Sequence, residues 1–144
     1  MPAEPKVLNG REFKTALKSI ALTSGDGPVQ FRIEVDPAGA NLFSSTQATQ
    51  LLHIAKEAMS NSLRHAHASG VTVSLRPAGT AIHLEIRDDG AGFDSSAVGS
   101  TGHGLRNMAA RAEEIGAELQ LISAPGRGCR ILVTVPRRKL NESD

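Results

Sequence analysis

Residues 81–93 read Ala-Ile-His-Leu-Glu-Ile-Arg-Asp-Asp-Gly-Ala-Gly-Phe, an alternating run that ends in two carboxylates and two glycines. The apolar side chains Ile82, Leu84 and Ile86 recur at every second residue, the period of a strand with one buried face. Asp88 continues their phase and is expected to point inward with them. A carboxylate on an apolar face is costly unless hydrogen-bond donors reach it, so the rest of the chain has to supply a partner.

Outward from this strand the pattern alternates between periods. Upstream, Phe13, Ala16, Leu17, Ile20 and Ala21 lie at helical spacing between Arg11 and Thr23, and the Thr-Ser-Gly-Asp-Gly-Pro cluster stops that helix. Val29, Phe31, Ile33 and Val35 form a strand closed by Asp36-Pro37. From Thr46 to His67 the residues Leu51, Ile54, Ala55, Ala58, Met59, Leu63 and Ala66 trace one face of a long helix, with Ser45 or Thr46 as its cap. Strands at Val71–Leu75 and Ala81–Asp88 form a hairpin across Pro77-Ala-Gly79. Residues 94–103 lack periodicity and read as a mobile loop. Leu105, Met108, Ala109, Ala112 and Ile115 then restore helical spacing up to a capping Gly116. A last hairpin pairs Glu118–Ser123 with Cys129–Val135 through Ala-Pro-Gly-Arg-Gly. The order α-β-α-β-β-loop-α-β-β predicts an α+β fold, a mixed sheet with helices on one face. Residues 1–9 and 137–144 are expected to be flexible, leaving one domain over residues 10–136.

Composition narrows the function. A 144-residue chain can bury a core without disulfide or metal staples, and its single cysteine, Cys129, fits a reducing compartment. Sixteen basic and fifteen acidic side chains give a net charge of +1, which offers no broad footprint for nucleic acid or an anionic membrane. No apolar stretch approaches the roughly 20 residues that span a bilayer, and the start lacks the apolar core of a signal peptide. A cytoplasmic location is expected for this piece. Membrane segments in a longer parent chain are left open.

Three clusters carry chemistry. In Asp88-x-Gly90-x-Gly92 the glycines alone suit a turn, but an inward carboxylate can accept from an exocyclic amine such as that of adenine, and glycines let the backbone approach a flat ring. Asp89, in the opposite phase, reads as a solvated turn residue. On the long helix, Glu57, Asn61 and His65 repeat at i, i+4 and i+8 beside Arg64. Such a stripe commonly just faces solvent. An acid, an amide, a guanidinium and an imidazole together also suit a magnesium triphosphate, the amide oxygen for the hard cation and the cationic groups for phosphate oxygens. The third cluster, Gly102-His103-Gly104-Leu105, runs into a helix start whose free N–H groups can hold phosphate oxygens. Neither a Walker loop nor the dinucleotide fingerprint is present.

Taken in order, E-A-M-S-N-S-L-R-H-A, D-D-G-A-G-F, G-H-G-L-R-N-M and P-G-R-G-C resemble the ATP-binding domain shared by gyrase, heat-shock chaperones, sensor histidine kinases and mismatch-repair ATPases. Within that superfamily the stretches around Asn61 and Gly104–Ala112 are similar to bacterial two-component sensor kinases of the nitrate-sensor type. The resemblance covers roughly residues 10 to 136. It implies a two-layer α/β sandwich of the Bergerat type with ATP and Mg²⁺ as cofactors. Asp88 would bind the adenine amino group, Gly90 and Gly92 would border the base, and Asn61 would ligate Mg²⁺. Arg64 and His65 would face the phosphates. Gly102 and Gly104 would form the hinge of a lid over them, and His103 and Leu105 would also belong to the cofactor-binding set. Glu57 matches the acid that polarises water in related ATPases, although in a kinase the attacking group is an imidazole. The chain departs from the pattern at Cys129, where the family often has Thr, and in the short loop between Phe93 and Gly102.

Kinases of this type phosphorylate a histidine on a separate dimerisation helix, typically followed by an acidic residue. His53, His65, His67, His83 and His103 are followed by Ile, Ala, Ala, Leu and Gly. The resemblance therefore implies a catalytic domain that binds Mg-ATP and donates the γ-phosphoryl to a partner dimerisation domain, with a response regulator as an indirect partner. The rival readings are a stand-alone anti-sigma serine kinase and a nonenzymatic module whose binding surface ATP switches.

Overall fold

The computed structural model describes residues 10–24, 29–36, 44–65, 69–90 and 103–136, with the main chain alone for Ser24, Leu63, Arg64, His65 and His103. The elements are α1 (Gly10–Ser24), β1 (Gln30–Val35), α2 (Ser45–His65), β2 (Gly70–Ala78), β3 (Ala81–Asp88), α3 (His103–Glu114), β4 (Glu118–Ser123) and β5 (Cys129–Pro136). The expected flexible termini, 1–9 and 137–144, lie outside the described residues, as do 94–102 of the expected loop.

The strands form one sheet in the order β1-β2-β3-β5-β4. β1 and β2 run parallel with α2 as their crossover, and the remaining pairs are antiparallel. β3 is central, and its register sets Asp88 between Val71 of β2 and Cys129 of β5. Val73, Leu75, Ile82, Leu84, Val133 and Val135 are fully or almost fully buried in one cluster with Phe13 and Leu17 of α1, Leu51 and Ile54 of α2, and Met108 of α3. The three described helices therefore cover one face of the sheet, the α+β arrangement expected from the element order. On the other face Glu85 is buried beneath Arg130, whose Nε donates to its carboxylate.

Several boundaries differ from expectation, each for a local reason. α2 is capped by Ser44 rather than Ser45 or Thr46: Ser44 Oγ accepts from Gln47 N at 3.2 Å while Ser44 N donates to Gln47 Oε1 at 2.9 Å. This reciprocal capping box satisfies two main-chain donors at once. The helix is described to His65, and its expected last residues, Ala66 and His67, lie outside the described part. β2 does not stop at Leu75 but continues through Pro77 to Ala78. Leu75 turns its carbonyl toward β1, where Asp36 N donates to it at 2.8 Å. Two residues on, Pro77 turns its nitrogen to the same side beyond the end of β1, so its missing N–H breaks no ladder bond. The hairpin thus turns at Gly79-Thr80, with Gly79 at φ 61°. His103, expected in the loop, opens α3. α3 ends as expected at Gly116, in a motif where Ala117 N donates to Ala112 O and Gly116 N to Glu113 O.

The β4–β5 turn contains two left-handed glycines with unequal surroundings. Gly126 has φ +77° and open space where a Cβ would stand, whereas a Cβ on Gly128, at φ +74°, would lie 2.2 Å from the carbonyl oxygen of Asp88. Gly126→Ala is expected to cost about 1–2 kcal/mol, the penalty of the left-handed conformation alone. Gly128→Ala must also part β5 from β3 and is expected to cost more than about 3 kcal/mol. Urea unfolding midpoints of the two variants check this, and equal losses would contradict it.

Candidate functional site

Asp88 ends β3 with its side chain beneath the last turns of α2, and only 6% of it is exposed. Donors from three segments reach its carboxylate. Ser62 Oγ of α2 donates to Oδ2 at 2.6 Å, while Gly90 N and Cys129 N donate to Oδ1 at 2.9 and 3.2 Å. The bland alternative, a turn whose glycines serve only the chain reversal, leaves these converging donors unexplained. A carboxylate offers about four lone-pair positions. The described residues occupy three, two on Oδ1 and one on Oδ2, and the remaining acceptor position belongs to Oδ2.

Asp89 is exposed, as its phase predicts, yet it is not merely solvated. Its carboxylate accepts from Ser69 N at 2.8 Å, Ser69 Oγ at 2.6 Å and Gly70 N at 2.9 Å. The Ser69 hydroxyl first, then the N–H groups of Gly70 and Ser69, hold its carboxyl below the usual aspartate value. The start of β2, just after α2, is thereby tied to the Asp-x-Gly turn.

Glu57 and Asn61 are half-buried on α2, so their stripe is not a plain solvent face. Glu57 borders a groove between α2 and α3 shared with Lys56, Ser60, Asn107 and Arg111. α3 is tied to α2 through Gln50, whose Oε1 accepts from Arg111 Nη1 at 2.9 Å and whose Nε2 donates to Glu114 Oε2 at 2.8 Å. Leu105 packs half-buried against the core in the first turns of α3, below the expected phosphate-facing start. Arg64 and His65 lie in the last turn of α2, and His103 and Gly104 open α3; the side chains of Arg64, His65 and His103 are outside the description. Gly92 and Gly102 lie wholly outside it. The structure thus brings Asp88 and Gly90 together with the α2 turn that carries Asn61, and sets Glu57 one turn away toward α3. Among the described residues no cluster of three or more His, Cys, Asp or Glu could hold a metal ion.

The sequence signature described as histidine kinase-, DNA gyrase B- and HSP90-like ATPase matches residues 46–139. The chain belongs to this family. It is 40% identical over 94 residues to the sensor protein VraS of Staphylococcus aureus, covering 65% of this chain and 27% of that protein. It is 42% identical over 86 residues to the sensor histidine kinase LiaS of Bacillus subtilis, covering 60% of this chain and 24% of that protein. The chain thus spans about a quarter of the length of these relatives. Its fold is that of the histidine kinase domain of the blue-light activated kinase EL346 from Erythrobacter litoralis, with a TM-score of 0.76 at 18% identity, over 95% of this chain and 65% of that one. The family and the two-layer fold expected from the sequence are those found. Among the described residues no helix is long and apolar enough to cross a membrane.

Two contributors had not been singled out from sequence. Ser62 follows Asn61 and falls in phase with Ala55 and Ala58, so it is a hydroxyl on the apolar stripe of α2, a signal open to detection. The Cys129 amide and its neighbour Gly128 act through backbone alone and depend on the β3–β5 register.

The Cys129 thiol is half-buried beside Asp88. Burial first and the Asp88 charge second push its pKa up to about 11, against a smaller opposing effect of the Ser123 hydroxyl. At pH 8 its thiolate fraction is on the order of 10⁻³, so iodoacetamide is expected to label it about 100-fold more slowly than an unperturbed thiol. The labelling rate should climb until pH passes about 11; a plateau near pH 9 would refute this. Asp89 behaves oppositely. Its tether is complete above the ordinary value of 3.8 and is lost only as pH falls through the lower folded value. The amide proton shifts of Ser69 and Gly70 should titrate together with a midpoint below 3.8, whereas a midpoint at or above it would show that the tether is not formed in solution.

Proposed function

We propose that this chain is the catalytic ATP-binding domain of a sensor histidine kinase, which binds Mg-ATP and donates the γ-phosphoryl to a histidine on a separate dimerisation domain. One observation carries the reading: a buried carboxylate, held by three donors among the described residues, has one acceptor position on Oδ2 that none of them fills. An adenine amino group fits that position, and a 6-oxo purine would set acceptor against acceptor. Gly90 and Gly92 border the base. The Asn61 amide oxygen is the protein ligand for Mg²⁺, in keeping with a cation that takes most of its other ligands from phosphate and water. Arg64 and His65 face the phosphates, and the first N–H groups of α3, from His103 to Leu105 beside Gly102, receive phosphate oxygens. Mg²⁺, when bound, neutralises charge on the transferring phosphoryl. Glu57, one turn from Asn61 on the same stripe, is assigned to the acceptor side of the phosphates, where a carboxylate can orient the attacking imidazole.

The acceptor comes from outside this chain, since none of its five histidines is followed by an acidic residue. The dimerisation domain is therefore the direct partner, a response regulator the indirect one, and the cytoplasm the place of action. Sensor kinases among the similar proteins favour this reading over an anti-sigma kinase or an ATP-switched binding module.

Calorimetric titration with Mg-ATP is expected to show binding that Asp88→Asn weakens about 10- to 100-fold, the loss of a hydrogen bond to a charged acceptor. With γ-labelled ATP the chain alone should remain unlabelled, and a supplied dimerisation domain should take the label on histidine. Label appearing on this chain, or co-purification with a sigma factor, would reject the kinase reading.

A further inference from the structure

We infer that Ser62 is a positioning residue that aims the Asp88 carboxylate and so sets selectivity for purines bearing an exocyclic amine. The inference rests on the nucleotide reading above. Ser62 is 5% exposed, and its Oγ lies 2.6 Å from Asp88 Oδ2 and 3.1 Å from Ala58 O. A hydroxyl has one proton. Given to Ala58 O, it would leave an oxygen lone pair facing a carboxylate oxygen at 2.6 Å, so the hydroxyl is held as a donor to Oδ2.

The two carboxylate oxygens are fixed differently. Oδ1 is pinned by two main-chain N–H groups, from the Asp-x-Gly turn and from β5, which no side-chain substitution removes. Oδ2, the oxygen with the open position, has Ser62 as its one donor among the described residues. Without the hydroxyl the carboxylate stays anchored at Oδ1 but can swing about that anchor, and Oδ2 loses its fixed direction. Removing Ser62 should therefore spare the fold of the turn and harm only recognition that uses the Oδ2 position. Ser62 also belongs to the α2 turn that carries Asn61. The hydrogen bond thus sets the base end of the nucleotide in register with its phosphate end.

The test measures affinities of wild type, Ser62→Ala, Asp88→Asn and the double variant for Mg-ATP and for purine riboside triphosphate, which has the same ring system without the 6-amino group. Ser62→Ala is expected to weaken ATP about tenfold and to leave purine riboside triphosphate within about twofold. In the Asp88→Asn background the same substitution should cost little more. Ser62→Cys, close in size with a weaker donor, should give an intermediate loss for ATP, and it carries the test if the alanine variant folds poorly. Equal losses for both nucleotides would show a structural role and overturn the inference. ATP binding unchanged in Ser62→Ala and Ser62→Cys would overturn it alone. Failure of the wild type to bind ATP would overturn the nucleotide reading and this inference together.

Discussion

A buried carboxylate at the end of the central strand constrains most of what surrounds it. Taking Asp88 out of water costs several kcal/mol, and a hydrogen bond to a charged acceptor returns about 1.5–3 kcal/mol. One donor does not offset the loss; a nearly complete set does. The set comes from α2, from the Asp-x-Gly turn and from β5, segments far apart in the chain. Each must be brought to within about 3 Å at once, which couples the helix crossing, the turn and the strand register to a single side chain.

The register demand explains the glycine that follows the β4–β5 turn. For Cys129 N to reach Asp88 Oδ1, β5 must begin directly against the end of β3, and there the chain passes so close to the Asp88 carbonyl that only hydrogen fits on the α-carbon of Gly128. Close approach and positive φ both exclude a side chain. Asp89, one residue on, faces the other way and fastens the entry of β2. Adjacent carboxylates thus fasten opposite flanks of the site, Asp88 the junction of α2, the Asp-x-Gly turn and β5, and Asp89 the strand entry that follows α2.

The inward phase of Asp88, the long amphipathic helix and both hairpins were legible because each rests on side-chain periodicity within a single segment. Where residue type was ambiguous, a neighbour decided. Ser44, Ser45 and Thr46 are all capable caps, and Gln47 selects Ser44 by standing three residues on. Pro77 looked like a strand end because its tolerance depends on where β1 stops, which the β2 sequence does not contain. Asp89 looked like a solvated turn residue for a similar reason, since its donors sit 19 and 20 residues away. The Cys129 amide was illegible in principle, because a main-chain N–H is the same in every residue except proline. The expected roles of Arg64 and His65 rested on residue type and spacing as well as on the resemblance, and the side chains of both, like that of His103, lie outside the described residues.

The two ends of the proposed nucleotide are served by different kinds of structure. The base end rests on a strand terminus, a helix side chain and a strand amide, all built on regular elements. The phosphate end relies on the start of α3, and regular structure reaches it indirectly. Met108 is fully buried one turn in, and the Gln50 side chain holds Arg111 and Glu114 against α2, so the axis of α3 is fixed with respect to the helix that carries Glu57 and Asn61. A helix so anchored presents its first N–H groups in a set direction whatever the chain before it does. α2 is common to both arrangements, through Ser62 at one site and Gln50 at the other. A change in how α2 is held would therefore act on the Asp88 carboxylate and on the start of α3 together, and so on both ends of the proposed nucleotide.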